Sequence, residues 1–552
     1  MISHRARFLN WIVAFVFGVC LTFGFQAKNY GEVLLTNPVT YILPVVMTVL
    51  FGFMIKYIWQ KWDLILSKKA MQVRTQEDNV SFKKAFLTAF LIISVLYLIV
   101  FLGVYPGFFC YDAQDELVET IARTFSNQHP MLHVLSMGGI VQAFHKLTGD
   151  YNIAIAAFIL FGMLITSGVY GFLVAYLRTN GLGKRGALIF TLYLGLFPVL
   201  VMLALCSTKD GVFGAFLILT VLYLLKMIKN PQDFFSKKKE VIIFVISATL
   251  MMLLRSNGIY AFIVFLPIAV FAFWKTLGLR KYFKQFLVVG VIAVIAFFVI
   301  NKGMLHAVNA SDIGHREILS VPIQQITRVY CYDPDSLSQD EKNSILKYLP
   351  DETLKRYEPK AADVVKIDFN EAAFSESPSD FIKLWMSLMT KHPKAYVDAW
   401  VMTSYGMWYP GAIMDNYKGH DVYTHSYEET SYFAFETEPP GERDSKIPVI
   451  NDIYRWFSLD STIQKIPVIN MLFSPGFMFF VFIFVLGFMI SYGRGRLAIA
   501  FLIPFLTLLT NFIGPLSLVR YVFYLWVIIP IMFFEVTKAE NVKAVRKERM
   551  EK

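Results

Sequence analysis

The sequence predicts an all-α protein that crosses a membrane many times, and three observations support this. Its 552 residues are 56% hydrophobic and only 17% charged, which is too little charge to cover a soluble protein of this length. The apolar residues form runs of about twenty, the length at which a helix spans the hydrocarbon core of a bilayer. Lys and Arg, which give a formal net charge of +11, lie largely in short loops between these runs and in the C-terminal tail.

The apolar runs predict about twelve membrane-spanning helices with both termini in the cytoplasm. One further segment, residues 131–148, is short and amphipathic. If it spanned the membrane, the basic loop LRTNGLGKRG would lie outside, against the positive-inside rule. We therefore expect an interfacial helix there. The predicted spans lie near residues 8–27, 39–59, 85–104, 152–177, 186–205, 211–228, 240–254, 258–275, 285–301, 466–490, 497–513 and 516–536.

This topology places two polar regions on the outer face of the membrane. The first is the loop at residues 105–150. The second is the segment at residues 302–465, which is rich in Tyr, Pro, Asp and Glu and contains helical patterns. Its aromatic content is too high for a disordered linker. We expect a mainly helical extracytoplasmic domain over this segment.

The first outer loop contains the motif YPGFFCYDAQDE at residues 105–116. Asp112 follows directly after an apolar run, where a carboxylate costs desolvation energy unless it binds something or faces water. It can act as a general base on an acceptor hydroxyl. It can instead hold a divalent cation (Mg²⁺ or Mn²⁺), with Asp115 as a second ligand. For Asp115 and Glu116 we favour a structural role, because acidic residues stabilise the first turn of a helix.

Two further pairs lie on the same predicted face. His129-Pro130 closes the outer loop, and it either begins a helix with Pro in its first turn or contributes a phosphate or sugar contact. Lys209 and Asp210 open the helix that follows another apolar run. Capping of that helix accounts for part of this motif. A second acid level with Asp112 would also suit a two-carboxylate site, and a lysine would suit a phosphate.

Three outer segments supply the remaining candidates. Arg255 and Asn257 lie in the tight hairpin RSNG, where the arginine either pairs with an outer acid or clamps a phosphate. Arg520 lies near the outer end of the last apolar run, where an anionic lipid headgroup is a natural partner. Tyr521 beside it can be an interface aromatic. Gln324, after the ninth run, either lines the same cavity or belongs to a polar helix cap.

Together, the outer-loop acid, the HP pair, the KD pair and the RSNG hairpin resemble the GT-C superfamily of integral-membrane glycosyltransferases. This superfamily includes the protein O-mannosyltransferases and the lipid A aminoarabinose transferases, and the resemblance is greatest to multipass proteins of Gram-positive bacteria. It covers residues 85–330 and, more weakly, 515–536. It implies that Asp112 is the catalytic base and Asp210 a further catalytic acid. It also implies that Arg255 and Arg520 contact the phosphate of a polyprenyl-phosphate sugar.

The resemblance also divides the chain. It implies a GT-C-like transmembrane core at residues 85–301, preceded by a two-helix addition at 1–84. The extracytoplasmic domain at 302–465 follows this core. The C-terminal part, 466–552, then comprises transmembrane helices and a basic cytoplasmic tail.

The predicted function is that of a cell-membrane glycosyltransferase. It would move a sugar from a polyprenyl-phosphate donor to a cell-wall polymer, a lipid-linked glycan or a protein on the outer face, with inversion at the anomeric carbon. A transporter or flippase of a lipid-linked or anionic envelope precursor would instead place polar residues at mid-membrane in related halves. A scaffold for envelope assembly would tolerate loss of Asp112 and Asp210. No nucleic-acid partner is expected, since much of the basic charge lies in short loops and the tail. No cofactor is certain from the sequence, and the carboxylates leave a divalent cation (Mg²⁺ or Mn²⁺) open, because they serve equally as bases and as ligands.

Overall fold

The computed structural model describes residues 6–72, 80–416 and 433–538, and within these ranges the chain is helical, with no strand beyond three isolated bridges. The predicted basic tail lies almost wholly outside the described residues. The helices up to residue 307 are α1 (Ala6–Tyr30), α2 (Val39–Gln72), α3 (Phe82–Gly103), α4 (Ala113–Ala122), α5 (Met131–Thr148), α6 (Tyr151–Thr179), α7 (Lys184–Leu196), α8 (Pro198–Ala204), α9 (Asp210–Lys229), α10 (Pro231–Ser236), α11 (Lys238–Leu254), α12 (Ser256–Lys275) and α13 (Phe283–Ala307).

The remaining helices are shorter on average. They are α14 (Ser320–Tyr332), α15 (Gln339–Tyr348), α16 (Asp351–Leu354), α17 (Asp363–Lys366), α18 (Glu371–Glu376), α19 (Pro378–Lys391), α20 (Pro393–Trp408), α21 (Pro448–Leu459), α22 (Thr462–Lys465), α23 (Pro475–Ser491), α24 (Gly495–Ala498), α25 (Leu502–Thr510) and α26 (Leu525–Thr537).

Among the described residues, eight helical stretches are long and apolar enough to cross a membrane. They lie in α1, α2, α3, α6, α9, α12, α13 and the joined stretch Gly495–Ile513. The pair α7–α8 makes a ninth if its 59° bend lies within one span. The protein is therefore a polytopic helical membrane protein.

The other three predicted spans form shorter helices, α11, α23 and α26. Helix α23 begins at Pro475, after the predicted start at residue 466, because the Ser474 side chain caps it by accepting a hydrogen bond from the Phe477 amide. Pro475 itself occupies the first helical turn, where its missing N–H is not needed. The last predicted span becomes helical only at Leu525, since the chain before it forms an irregular segment with one 3-10 turn.

Residues 131–148 form helix α5, as the sequence predicts, and this helix packs against α4 and α6. Its location at a membrane interface stays a prediction. Helix α9 is the most enclosed of the apolar spans, with 78% of its apolar window buried. It packs against α6 and α11, and its first residue, Asp210, is buried beneath the site described below.

The polar helical segment, residues 302–465, has a hydrophobic core of its own. Ile323, Ile345, Phe381 and Leu388 are buried together there. Helix α20 contributes Tyr396 to this core and packs against α14, and it also packs against α1 and α23. These contacts of α20 anchor the polar helical segment among the apolar helices. They fix its position near the first residue of α9.

The first two helices pack on one of the last. Phe17 of α1 stacks on Phe480 of α23, with ring centroids 4.1 Å apart. Trp59 of α2 is 1% exposed and contacts the rings of Phe484 and Phe488. The loop between α1 and α2 also reaches the polar helical segment.

Candidate functional site

One cavity of about 640 Å³ lies where the starts of α4, α9 and α12 meet the polar helical segment and the irregular chain before α26. Most of the residues that the sequence singled out lie on its wall. Asp210 and Gln324 are the two that do not. The predicted residues that line the cavity are Asp112, Asp115, His129, Lys209, Arg255, Asn257, Arg520 and Tyr521.

A short backbone pairing brings the first two segments of the site together. The Phe108 amide donates to the Leu205 carbonyl at 3.0 Å, and the Ser207 amide donates to the Phe108 carbonyl at 2.8 Å. Gly107 begins this pairing with φ of +114°. A side chain there would meet Ile159 and the carbonyl of Leu205, so only glycine allows the close approach. Residues 97 positions apart are thereby placed side by side at the starts of α4 and α9.

Asp112 and Lys209 form the ion pair at the centre of the site. The Lys209 Nζ lies 2.6 Å from Asp112 Oδ2, while Arg520 Nη1 lies 3.7 Å and His129 Nδ1 3.9 Å from the same oxygen. Burial alone would raise the pKa of Asp112, but the charges of Lys209, Arg520 and His129 hold it well below its usual value. The carboxylate is therefore ionised at neutral pH, and its side chain remains 30% exposed to the cavity.

Behind this pair lies a buried acid, Glu116, whose sequence position predicts only a place in the first turn of a helix. Glu116 is fully buried, and its Oε2 lies 2.5 Å from His133 Nδ1. The other ring nitrogen of His133 lies 3.0 Å from the Ser207 carbonyl oxygen. The ring can donate to both acceptors only in its charged form. Glu116 Oε1 also lies 3.3 Å from Lys209 Nζ.

The electrostatics of Glu116 follow from these contacts. Burial would raise its pKa, but His133 and Lys209 lower it to about 2. Glu116 therefore does more than stabilise the first turn of α4, because its carboxylate also contacts the Lys209 ammonium. The available sequence signal was His133, a polar residue in an otherwise apolar helical pattern.

Asp210 lies beneath the cavity rather than on its wall. It is fully buried, contacts the Arg255 guanidinium through Oδ1, and accepts from Arg520 Nη1 through Oδ2 at 3.1 Å. Burial lowers the pKa of Arg255 to about 10, so this side chain stays charged at neutral pH. Tyr521 packs against both arginines, with centroid distances of 4.5 and 4.9 Å. In this arrangement Asp210 fixes two cations instead of facing a substrate.

The two predicted amide side chains have different positions. Asn257 lies on the cavity wall and donates to Thr510 Oγ1 at 2.7 Å. Gln324 lies inside the polar helical segment, where its amide donates to the carbonyls of Glu358 and Pro359 at 2.7 and 3.2 Å. Its place on α14 turns it towards a neighbouring loop, and it is not among the cavity-lining residues.

The residues around Lys209 are also those that could hold a metal ion. Ligand atoms of Asp112, Glu116 and His129 lie within 4.8 Å of one another, whereas Asp115 is not part of this group. The Lys209 ammonium sits among them, 3.3 Å from His129 Nδ1 and 2.6 Å from Asp112. A divalent cation here would have to displace a charged group that already neutralises the carboxylates. These residues therefore fit a metal poorly while Lys209 remains in place.

The polar helical segment forms the opposite wall of the cavity. Lys366 is 8% exposed and pairs with Glu317 at 2.5 Å and Asp363 at 2.6 Å. Arg316 Nη2 lies 3.3 Å from Gln128 Oε1 and so bridges to the loop before α5. Lys366 and Asp363 are not marked in the sequence, because nothing in a polar segment shows which charges face a cavity.

The rim of the cavity is apolar in part. Ile318, Ile513 and Tyr260 line it and remain 73%, 66% and 53% exposed. Tyr260 belongs to α12, one of the membrane-spanning helices. A charged interior thus lies next to side chains that favour contact with hydrocarbon.

Residues 111–550 match the model of a family described as a family of unknown function (DUF6020), and the chain belongs to that family. No curated protein and no solved structure matches the chain. The matched region contains every cavity-lining residue described above.

Proposed function

We propose that this DUF6020 protein is a membrane glycosyltransferase that moves a sugar from a polyprenyl-phosphate donor to an acceptor hydroxyl. One observation carries the proposal: a partly exposed carboxylate shares a cavity with three largely buried cations, next to an apolar rim. An amphiphilic phosphate ester needs cations for its phosphate and hydrocarbon contact for its chain. The acceptor needs a nearby base.

The phosphate would lie against Lys209, Arg255 and Arg520. The two arginines are held in place by the buried Asp210 before any substrate arrives. Charges fixed in this way stabilise the negative charge that develops on a leaving phosphate without further reorganisation. Guanidinium groups also match phosphate oxygens in geometry.

Asp112 would act as the general base. In the structure it is paired with Lys209, which keeps its pKa low and makes it a weak base. A phosphate bound at Lys209 would compete for the ammonium and raise the pKa of Asp112. The donor would thereby activate the base.

The transfer step can be written with its atoms balanced. The acceptor oxygen bonds to the anomeric carbon as its proton passes to an Asp112 carboxylate oxygen. The bond between that carbon and the phosphate oxygen breaks, and the polyprenyl phosphate leaves. Attack from the face opposite the phosphate inverts the anomeric configuration.

The membrane arrangement that we propose has about twelve spans, a GT-C-like core, both termini in the cytoplasm and the cavity outside. The helices α11, α23 and α26 support the larger count, because they lie largely within apolar runs of the sequence. The cell membrane would supply the lipid-linked donor. The acceptor would be a cell-wall polymer, a lipid-linked glycan or a protein.

The proposal is tested by the sugar composition of envelope glycans from cells that lack the protein. The cells are rescued with wild type, Asp112→Asn or the control Asp340→Asn, at matched abundance in the membrane. Asp340 is an exposed carboxyl on α15. We expect one sugar to disappear in the deletion and to return with wild type and control only. Full rescue by Asp112→Asn would refute the role of Asp112 as the general base. An unchanged sugar composition in the deletion would refute the proposed glycosyltransferase activity.

A further inference from the structure

Two cysteines lie against the site, and the proposed reaction uses neither of them. The Sγ atoms of Cys110 and Cys206 are 3.8 Å apart, although the residues are 96 positions apart in the chain. Both are buried, at 0% and 8% exposure. Cys110 precedes Asp112 by two residues, and Cys206 precedes Lys209 by three.

The backbone around the two thiols is already paired. Phe108 and Cys206 form a parallel bridge, and the Cys110 amide donates to Ser207 Oγ at 3.2 Å. The sulfurs need to approach by about 1.8 Å to reach a disulfide bond length of about 2.04 Å. We expect rotation of the two side chains to provide most of this movement.

We propose that Cys110 and Cys206 are joined by a disulfide bond in the mature protein. The bond would tie the segment that carries Asp112 to the segment that carries Lys209. The proposal does not depend on the transferase assignment, because it concerns the covalent state of the two segments.

The bond would form by exchange with a disulfide of a thiol–disulfide oxidoreductase. One cysteine thiolate attacks the oxidant disulfide, and the second cysteine then displaces the oxidant from the mixed disulfide. The two protein thiols lose two electrons and two protons in total, and the oxidant leaves as two thiols. A new sulfur–sulfur bond replaces the one that was broken.

Burial dictates when this exchange takes place. Glu438 donates its amide to the Phe109 carbonyl at 2.7 Å, and Thr437 Oγ1 donates to the Gly107 carbonyl at 2.8 Å. The chain around residues 437 and 438 therefore covers the paired segment once folding is complete. A protein oxidant would act before this covering, and a reductant would not reach the bond afterwards.

The test traps the thiols in the full-length protein. Membranes are dissolved directly in denaturant with excess N-ethylmaleimide, the protein is then reduced, and newly released thiols receive a deuterated maleimide. We expect the heavy label on Cys110 and Cys206 and the light label on Cys20 and Cys331. Peptide mapping without reduction should give a linked peptide two hydrogens lighter than the sum of its parts.

Variants separate this pair from other linkages. In Cys110→Ser we expect Cys206 to take the light label, and in the control Cys331→Ser we expect the heavy label to stay on Cys110 and Cys206. Cys206→Ser provides the reciprocal measurement if the first variant is not recovered. Light label on both cysteines of the wild type, or linkage of either one to Cys331, would overturn the proposal.

Discussion

The two ends of helix α9 both bury ion pairs, but they differ in what lies beside them. At its first residue, Asp210 pairs with Arg255 and Arg520 under the cavity. At its last residue, Lys229 lies 2.6 Å from Glu535 Oε1, and that glutamate is fully buried. The two ends are about 30 Å apart at 1.5 Å per residue. Neither Lys229 nor Glu535 lines the cavity.

The comparison shows that a buried charge does not by itself identify a site. Buried pairs connect helices in many folds, and their removal is costly wherever they occur. What distinguishes the first end of α9 is that its cations also face an open volume with an ionised carboxylate. We therefore expect substitutions at the cavity end to change activity and those at the other end to change stability.

The largest effect should come from Asp112→Asn. Loss of a general base lowers kcat by about 10²- to 10⁴-fold, while the nearly isosteric amide keeps the side-chain volume. We expect the thermal unfolding midpoint in detergent to stay close to that of wild type, because Asp112 is partly exposed and Glu116 still neutralises Lys209. Sugar transfer by the purified protein is the measurement, with Asp340→Asn as the control. If the Asp112→Asn protein kept the wild-type kcat, the cavity end of α9 would no longer differ in function from the other end.

Glu535→Gln should give the opposite pattern. Breaking a buried pair by removing one partner costs about 3–5 kcal/mol of unfolding free energy. Transfer activity per folded molecule should not change, because Glu535 is far from the cavity. Thermal unfolding in detergent and kcat are measured on the same samples. A strong loss of kcat in well-folded Glu535→Gln protein would show that the two ends of α9 are coupled.

Arg520→Gln should specifically weaken the binding of the lipid phosphate. A hydrogen bond to a charged group contributes about 1.5–3 kcal/mol, which corresponds to about 10- to 150-fold in the dissociation constant for undecaprenyl phosphate. Arg520→Lys should recover only part of this affinity, since a lysine cannot reproduce the bidentate geometry. The matched control is Lys226→Gln, near the other end of α9, where the pair with Glu240 is partly exposed. Equal losses in Arg520→Gln and Lys226→Gln would argue against a phosphate site.

The smallest expected effect is on how the stability of the folded protein decreases at acidic pH. The pKa of Glu116 falls from 4.5 to about 2 on folding, so its ionised form stabilises the folded state. This contribution is complete above about pH 4.5 and is lost as the pH falls towards 2. Unfolding midpoints measured between about pH 7 and pH 3 should decline less steeply in Glu116→Gln than in wild type. Parallel curves would mean that Glu116 is not ionised in the folded protein.

The sequence predicted the helical membrane class, because apolar runs of about twenty residues have few other uses. It also singled out Asp112, Lys209, Arg255 and Arg520, which line one cavity, since charges beside such runs are conspicuous. It did not reveal the pairing of Glu116 with His133, which depends on how α4 packs on α5. Nor did it place Gln324, because the direction of a side chain in a polar helix is decided by tertiary contacts.

The choice between Asp115 and Glu116 shows the same limit. Both acids lie in the first turn of α4, and their spacing in the sequence gives each an equal chance of facing Lys209. The structure places Glu116 against Lys209, whereas Asp115 is exposed to the cavity, where partial desolvation raises its pKa. The two acids are neighbours on α4, so a rotation of the helix by one residue would exchange their positions.

The packing of α1 and α2 on α23 has a consequence for biosynthesis. The loop between them also depends on late residues, since the Val33 amide donates to Asp398 Oδ1 at 2.7 Å. Apart from each other, these packing partners of the first two helices are therefore translated some 365 residues later or more. At about 5–20 residues per second, a ribosome takes about 20–70 s to supply them. The earliest helices must wait in the bilayer that long, with apolar faces that lipid or an insertion factor has to cover.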